Sequence, residues 1–330
     1  MAPRVVGSNP IAHPNILRNL NLISSEHTSA LPDRVLFFKK PTYRWLRTRR
    51  SVAIFILLLA TLGGCRALAG DVFPQDEKSR WTLVWSDEFN TPDDSRPDAA
   101  KWKFEVGGNG WGNHELEYYT NRPENSFIRG GNLVIQALKE NFTGPNHVTR
   151  EYTSARMTTQ GRFEQAYGRF EARIKIPRGQ GLWPAFWLLG NDIGKIGWPG
   201  CGEIDIMENI GKEPSLVHGS LHGPGYSGDR GYTSEYKFPG GVHFFDDFHV
   251  FAIEWEPKVV RFFVDQELYA TFTPTRLPSG MNWVFDHPFF IILNVAVGGD
   301  WPGAPDSTTV FPQTMLVDYV RVYKPRSITE

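Results

Sequence analysis

Eight consecutive residues, Arg169-Phe170-Glu171-Ala172-Arg173-Ile174-Lys175-Ile176, alternate strictly between polar and apolar. A period of two puts every second side chain on one face of an extended strand, whereas a helix would scatter the same residues around its axis. The stretch therefore reads as a strand with one face on a core and the other in solvent. Val259-Val260-Arg261-Phe262-Phe263-Val264, then Asp265-Gln266, then Leu268-Tyr269-Ala270-Thr271-Phe272 reads as a hairpin. No long amphipathic helix, internal repeat or low-complexity linker interrupts the pattern. Aromatic residues make up 14% of the chain, and glycine and proline recur between the short runs. The expected fold class is all-β, a sandwich of antiparallel strands. Gly107-Gly108-Asn109-Gly110 and Gly223-Pro224-Gly225 lack the strand-to-helix setting of a phosphate-binding loop.

A second run concentrates the chemistry. Gly202-Glu203-Ile204-Asp205-Ile206-Met207-Glu208-Asn209 sets three carboxylates among apolar residues. In a regular strand Glu203 and Asp205 share a face and Glu208 falls on the other. A β-bulge with Met207 as the inserted residue shifts the alternation by one and returns Glu208 to the first face. The two glutamates then stand about 13 Å apart at Cα, four steps of roughly 3.3 Å, and inward-leaning side chains can close most of that gap. Retaining glycoside hydrolysis needs two carboxyl groups about 5–5.5 Å apart, one as nucleophile and one as acid/base. A solvated acidic strand face is the alternative; the surrounding tryptophans favour the catalytic reading.

Further motifs accompany the acid run in a fixed order: Trp85-Ser86-Asp87-Glu88-Phe89, Gly110-Trp111-Gly112-Asn113, Tyr152-Thr153-Ser154-Ala155-Arg156, Gly181-Leu182-Trp183-Pro184-Ala185-Phe186-Trp187, Gly197-Trp198-Pro199, Val297-Gly298-Gly299-Asp300-Trp301-Pro302-Gly303 and Asp318-Tyr319-Val320-Arg321-Val322-Tyr323. Together they resemble glycoside hydrolase family 16, and within it the bacterial laminarinase-like endo-β-1,3-glucanases, over roughly residues 81–323. The resemblance implies a β-jelly-roll sandwich of two antiparallel sheets with a concave substrate cleft, and hydrolysis with retention of configuration. It implies Glu203 as nucleophile, Asp205 as the assisting carboxylate and Glu208 as general acid/base. It also implies Trp183 and Trp187 as cleft lining, with Trp111 and Trp301 as further sugar-facing tryptophans, while Phe186, between Ala185 and Trp187, belongs to the core. His222 is expected beside the acid/base, and Arg156, Asn113 and Glu115 as hydrogen-bond partners of glucose hydroxyls, with a solvated loop as their alternative. No catalytic cofactor is implied. A structural calcium ion is, on Asp318, Glu88 and the main chain at Gly131.

His218 and His222 have the i, i+4 spacing of a helical zinc pair, but their setting reads as a strand. There, positions four apart lie about 13 Å from each other and cannot chelate one ion. His218 is expected to be structural. Cys201 reads as a small packed residue rather than a nucleophile, since the carboxylates already suffice.

The chain is expected to divide into an N-terminal extension with a signal peptide, residues 1–70, and one catalytic domain, residues 71–330. Lys39, Lys40, Arg44, Arg47, Arg49 and Arg50 precede the eleven-residue apolar stretch from Val52 to Leu62, too short to span a bilayer comfortably. Leu62-Gly63-Gly64-Cys65 resembles a bacterial lipoprotein processing site, with lipid on Cys65. Cleavage after Ala67-Leu68-Ala69 and a plain membrane anchor are the alternatives. Export follows, to the cell envelope as a lipoprotein, or to the periplasm or exterior. Residues 65–330 hold 26 basic and 34 acidic side chains, a net charge of −8. That balance argues against nucleic acid or anionic lipid as a partner. The expected partner is a neutral β-glucan, with membrane contact only through Cys65, and the expected state is a monomer. A mixed-linkage β-1,3-1,4-glucan hydrolase, a transglycosylase and a glucan-binding jelly roll without catalysis are the competing functions. Met207 favours the β-1,3 enzymes, because the run of mixed-linkage enzymes resembles Glu-Ile-Asp-Ile-Glu. The intact acid trio argues against a binding protein.

Overall fold

A computed structural model describes residues 80–326. Cys65 and the proposed signal segment lie outside the described residues. Strands run in the order β1 Trp81–Asp87, β2 Lys103–Glu105, β3 Glu117–Tyr119, β4 Ser126–Arg129, β5 Asn132–Thr143 and β6 Thr149–Ser154. Then come β7 Arg156–Thr158, β8 Gly168–Lys175, β9 Leu182–Gly190, β10 Glu203–Glu208, β11 Leu216–His222 and β12 Tyr232–Lys237. The chain closes with β13 His249–Glu256, β14 Val259–Val264, β15 Glu267–Phe272, β16 Phe289–Val297 and β17 Gln313–Pro325. Among the described residues helix is confined to short turns, such as Ile193–Ile196.

Two sheets form the jelly-roll sandwich. The larger runs β15-β14-β13-β8-β17-β5-β6-β3, with β1 beside β17 and β4 beside β5; the smaller runs β12-β11-β10-β9-β16-β7-β2. Pairing is antiparallel apart from β3 against β6. The facing sides meet in one core, where Phe170, Phe251, Ile253 and Phe262 of the larger sheet join Phe186, Ile204, Leu221 and Ile291 of the smaller. Alternation explains the assignment: in β10 Ile204 faces that core, so Glu203 and Asp205 project from the opposite, open face of the smaller sheet.

The hairpin forms as expected, with Val264 paired to Glu267 and Asp265 at φ 55°, a left-handed geometry that aspartate tolerates in turns. The alternating run at β8 differs from expectation on its outer face. β8 is interior, between β13 and β17, and Arg169 and Glu171 are buried there in an ion pair of 2.9 Å. Glu254 of β13 lies 3.5 Å from Arg169, and the Tyr323 hydroxyl donates to Glu171. Charge compensation, rather than water, covers Arg169 and Glu171, while Arg173 and Lys175 further along the same face are half-buried.

Candidate active site

Register places the acids. Along β9, Asp205 pairs with Trp187 and Met207 with Phe186; along β11, Asp205 pairs with Ser220 and Glu208 with His218. One more residue thus occupies β10 than either neighbour provides. Ile206 and Met207 share one place in the ladder, both in the core. This is the bulge the sequence requires, and it turns Glu208 to the open face beside Glu203 and Asp205.

On that face the side chains lie in rows across the strands. One row runs Glu105, Arg156, Asn294, Ala185, Glu208, His218, Glu235; the next runs Lys103, Thr158, Ile292, Trp187, Asp205, Ser220, Thr233. Glu203 pairs with His222 and Leu189 in a third.

Each glutamate has its own indole donor. Trp198 Nε1 donates to Glu203 at 2.9 Å, and Trp183 Nε1 donates to Glu208 at 2.9 Å. His222 Nε2 lies 2.9 Å from Asp205 and 3.7 Å from Glu203. His222 therefore stands at the Glu203 end and not beside Glu208, because antiparallel register gives that place to His218. His218 is buried and packs edge-on against Trp301, with ring centroids 4.8 Å apart, and Trp301 meets Trp183 in turn at 5.4 Å.

Burial and the charge of Asp205 push Glu203 up to about 7, while His222 and the Trp198 bond pull the other way. Glu208 is raised well above the usual carboxylate range by burial first and by Asp205 next. Burial lowers His222, but its bond to Asp205 and the nearby glutamates outweigh that and bring it to about 9. The His222 charge acts on both glutamates and lies 3.7 Å from Glu203, which rises only to about 7 while Glu208 rises well above the usual carboxylate range, so the ionised form is favoured at Glu203 and the proton at Glu208.

Arg156 is packed between two indoles, its guanidinium carbon 4.7 Å from the ring centroids of both Trp111 and Trp187, and its Nε binds Glu105. One face of each tryptophan is thereby covered. Glu115, expected to meet sugar hydroxyls, is instead buried and accepts bonds from Asn113 and the Tyr119 hydroxyl. Asn113 remains exposed on its loop. His114 binds Asp300 at 2.8 Å and Asn113 accepts the Asp300 amide, so the loops carrying Trp111 and Trp301 are tied together.

The pattern of the glycosyl hydrolases family 16 matches residues 114–321. The chain belongs to glycosyl hydrolase family 16. It is 45% identical over 277 residues to a β-glucanase of Rhodothermus marinus, covering 81% of this chain and 93% of that one. The crystal structure of an endo-β-1,3-glucanase from Pyrococcus furiosus is similar with a TM-score of 0.72 and 52% identity, over 75% of this chain and 95% of that one. A laminarinase catalytic domain from Thermotoga petrophila gives a TM-score of 0.71 at 52% identity, over 76% and 100%.

As a family 16 hydrolase, the protein has partners in its site that the sequence alone did not single out. Trp187 Nε1 donates to Asn294 at 2.8 Å, and Asn294 Nδ2 donates to Tyr119 at 3.2 Å. The signal for Asn294 was present: it is the one polar residue of Phe289–Val297. Cys201 is buried, with its thiol pushed up to about 12 by burial and by Glu203, in keeping with packing. Among the described residues, Glu203, Asp205 and His222 form the one group of three metal-type side chains, and the ion pair of His222 with Asp205, with Glu203 at 3.7 Å, accounts for it. For the calcium set, Gly131 turns beside Asn90, two residues after Glu88 in the chain. However, Arg321 grips both Glu88 oxygens and Arg173 holds Asp318 at 2.8 Å. A cation there would compete with two guanidinium groups, so the carboxylates do not form a preformed cage.

Proposed function

We propose that the protein is a retaining endo-β-1,3-glucanase that cuts laminarin-type polysaccharide by double displacement. The observation that carries this reading is the bulge at Ile206–Met207, which sets Glu203, Asp205 and Glu208 on one open face. Relatives named as β-1,3-glucanases and laminarinases support the substrate. In the first step a Glu203 oxygen attacks the anomeric carbon while Glu208 gives its proton to the departing glycosidic oxygen, and a glycosyl ester forms as the C–O bond breaks. In the second, water loses a proton to Glu208 and attacks the same carbon, releasing Glu203. Trp198 orients the nucleophile, Trp183 orients the acid, and Asp205 with His222 shares charge with Glu203 without bonding to sugar.

The test separates the two glutamates. On an activated β-aryl glucoside, Glu208→Ala should give a burst of aryl release and azide rescue to the β-azide; Glu203→Ala should be inactive without azide and yield the α-azide with it. The opposite anomers sink the assignment. Products from laminarin, mixed-linkage glucan, curdlan and agarose fix the specificity. Leu62-Gly63-Gly64-Cys65 supports display at the envelope through lipid on Cys65. Labelled fatty acid should enter the expressed protein and be lost in Cys65→Ser, and equal labelling of both removes that reading.

A further inference from the structure

Glu117 is completely shielded from solvent in β3, and the mechanism above does not use it. Its Oε2 accepts the Val297 amide at 2.6 Å, and its Oε1 is buried with no donor. The neighbouring carboxylate is Glu115, itself buried, which accepts bonds from Tyr119 and Asn113. Two ionised carboxylates side by side at this depth would be strongly unfavourable, and a single proton between them removes the conflict. A proton on Glu117 would turn its unpartnered Oε1 into a donor, with the buried carboxylate of Glu115 as the neighbouring acceptor.

From Glu115 a chain of hydrogen bonds crosses to β9, the neighbour of the acid-bearing strand. Tyr119 donates to Glu115 at 3.0 Å, Asn294 donates to Tyr119 at 3.2 Å, and Trp187 donates to Asn294 at 2.8 Å. Trp187 is the ladder partner of Asp205. On the other side, Glu115 holds Asn113 in the Trp111 loop, and Glu117 holds Val297 at the entry to the Trp301 loop. We propose that Glu117 is a positioning residue: it donates a hydrogen bond to Glu115, and the joined pair fixes the Trp111 and Trp301 loops and, through Tyr119 and Asn294, the Trp187 indole beside Asp205. For its activity readout this rests on the glucanase reading.

The charged and titratable groups around the pair are few. Tyr119 lies on its own strand, Arg156 acts from β7 on Glu115 and Tyr119, and Glu105 of β2 holds Arg156. Tyr152 is the partner of Glu117 on β6, with its ring against Phe311. Burial, and then the charge of Glu115, keep the Glu117 proton bound well above the usual carboxylate range. In the unfolded chain a glutamate releases it at about 4.3. The folded state thus holds the extra proton above that pH, so the pair's contribution to stability is complete in acid and declines as pH rises through the folded value.

The experiment uses the full chain and two variants. Glu117→Gln keeps the donor and has no proton to lose; Glu117→Ala removes the donor and strands the Val297 amide. The melting temperature of Glu117→Gln relative to the parent should climb steadily as pH is raised from about 4.5. With laminarin, KM of the parent should rise at alkaline pH while that of Glu117→Gln stays level. Glu117→Ala should raise KM roughly tenfold where the parent keeps its proton, the loss of about one buried hydrogen-bonded anchor, with the gap to the parent closing at alkaline pH, and Glu117→Gln should restore it. A Gln variant as impaired as the Ala variant, or melting curves of parent and Gln variant that run parallel in pH, overturns the proposal. Failure of every protein to cleave laminarin would count against the substrate reading alone, since the melting curves still report on the pair.

Discussion

His222 touches Asp205 at 2.9 Å and reaches Glu203 at 3.7 Å, and its charge also acts on Glu208, so it links the electrostatics of the whole acid trio. Protonated, it lowers the carboxyl of Glu203, which otherwise rises through burial and the charge of Asp205. Removing it should raise Glu203 further. In the parent the acidic limb of kcat/KM against pH should report Glu203, placed at about 7. In His222→Ala that limb should move to higher pH, and activity at neutral pH should fall by about tenfold for each unit of movement. A limb that stays in place or moves toward acid would show that the imidazole does not act on Glu203. Each indole donor works in the same direction as His222: Trp198 and Trp183 favour the ionised forms of Glu203 and Glu208 respectively.

β10 shows how one residue in a strand changes what a face presents. Its bulge gives Ile206 and Met207 one place in the ladder and sends both to the core. Parity then makes an asymmetric prediction. Deleting Met207 leaves Glu-Ile-Asp-Ile-Glu, a regular strand that still presents all three acids on one side, so the variant should retain measurable hydrolysis with reduced stability. Inserting an alanine after Met207 should turn Glu208 toward the core and reduce activity on laminarin to the level of Glu208→Ala. Equal activities in the deletion and the insertion would contradict this account. Circular dichroism of both variants separates loss of chemistry from loss of fold. The neighbouring glycines leave little room for adjustment: a Cβ on Gly190 would lie 1.9 Å from the Cys201 carbonyl oxygen, against the start of the catalytic strand.

Across the whole molecule the two sheets divide the work. The smaller carries the acid trio with Trp183 and Trp187, and the larger closes the core from behind and buries Arg169, Glu171 and Glu254. Arg169 stands between Glu171 and Glu254, with all three shielded from water. Taking out the cation leaves Glu171 with the Tyr323 hydroxyl and Glu254 with the part-exposed Arg80 as their remaining partners, and breaking a buried pair in this way typically costs about 3–5 kcal/mol. Arg169→Leu should therefore unfold at markedly lower urea, while the protein that remains folded cleaves laminarin at the parental rate, because the change lies on the opposite sheet. Unchanged stability would mean that the network is neutral to the fold, and a loss of turnover without loss of stability would mean that the sheets are coupled.

Local pattern carried much of this protein. Period-two alternation marked the strands, the 259–272 hairpin followed from its turn residues, and the odd spacing in Glu203-Ile204-Asp205-Ile206-Met207-Glu208 demanded a bulge if the acids were to act together. These are short-range properties, set by backbone geometry over a few residues. The ordered motifs gave the family, because each was legible where it stood. What sequence spacing could not supply was which side chains from distant strands meet. His222 opposite Glu203 and not Glu208, Arg156 between two indoles, Arg169 and Glu171 paired out of water, and Glu115 turned inward to Glu117 all depend on register between strands and on which strands lie inside a sheet. Burial decides whether a carboxylate is solvated, paired or protonated, and burial is a property of the assembled sandwich, so only the tertiary structure could settle the fate of those residues.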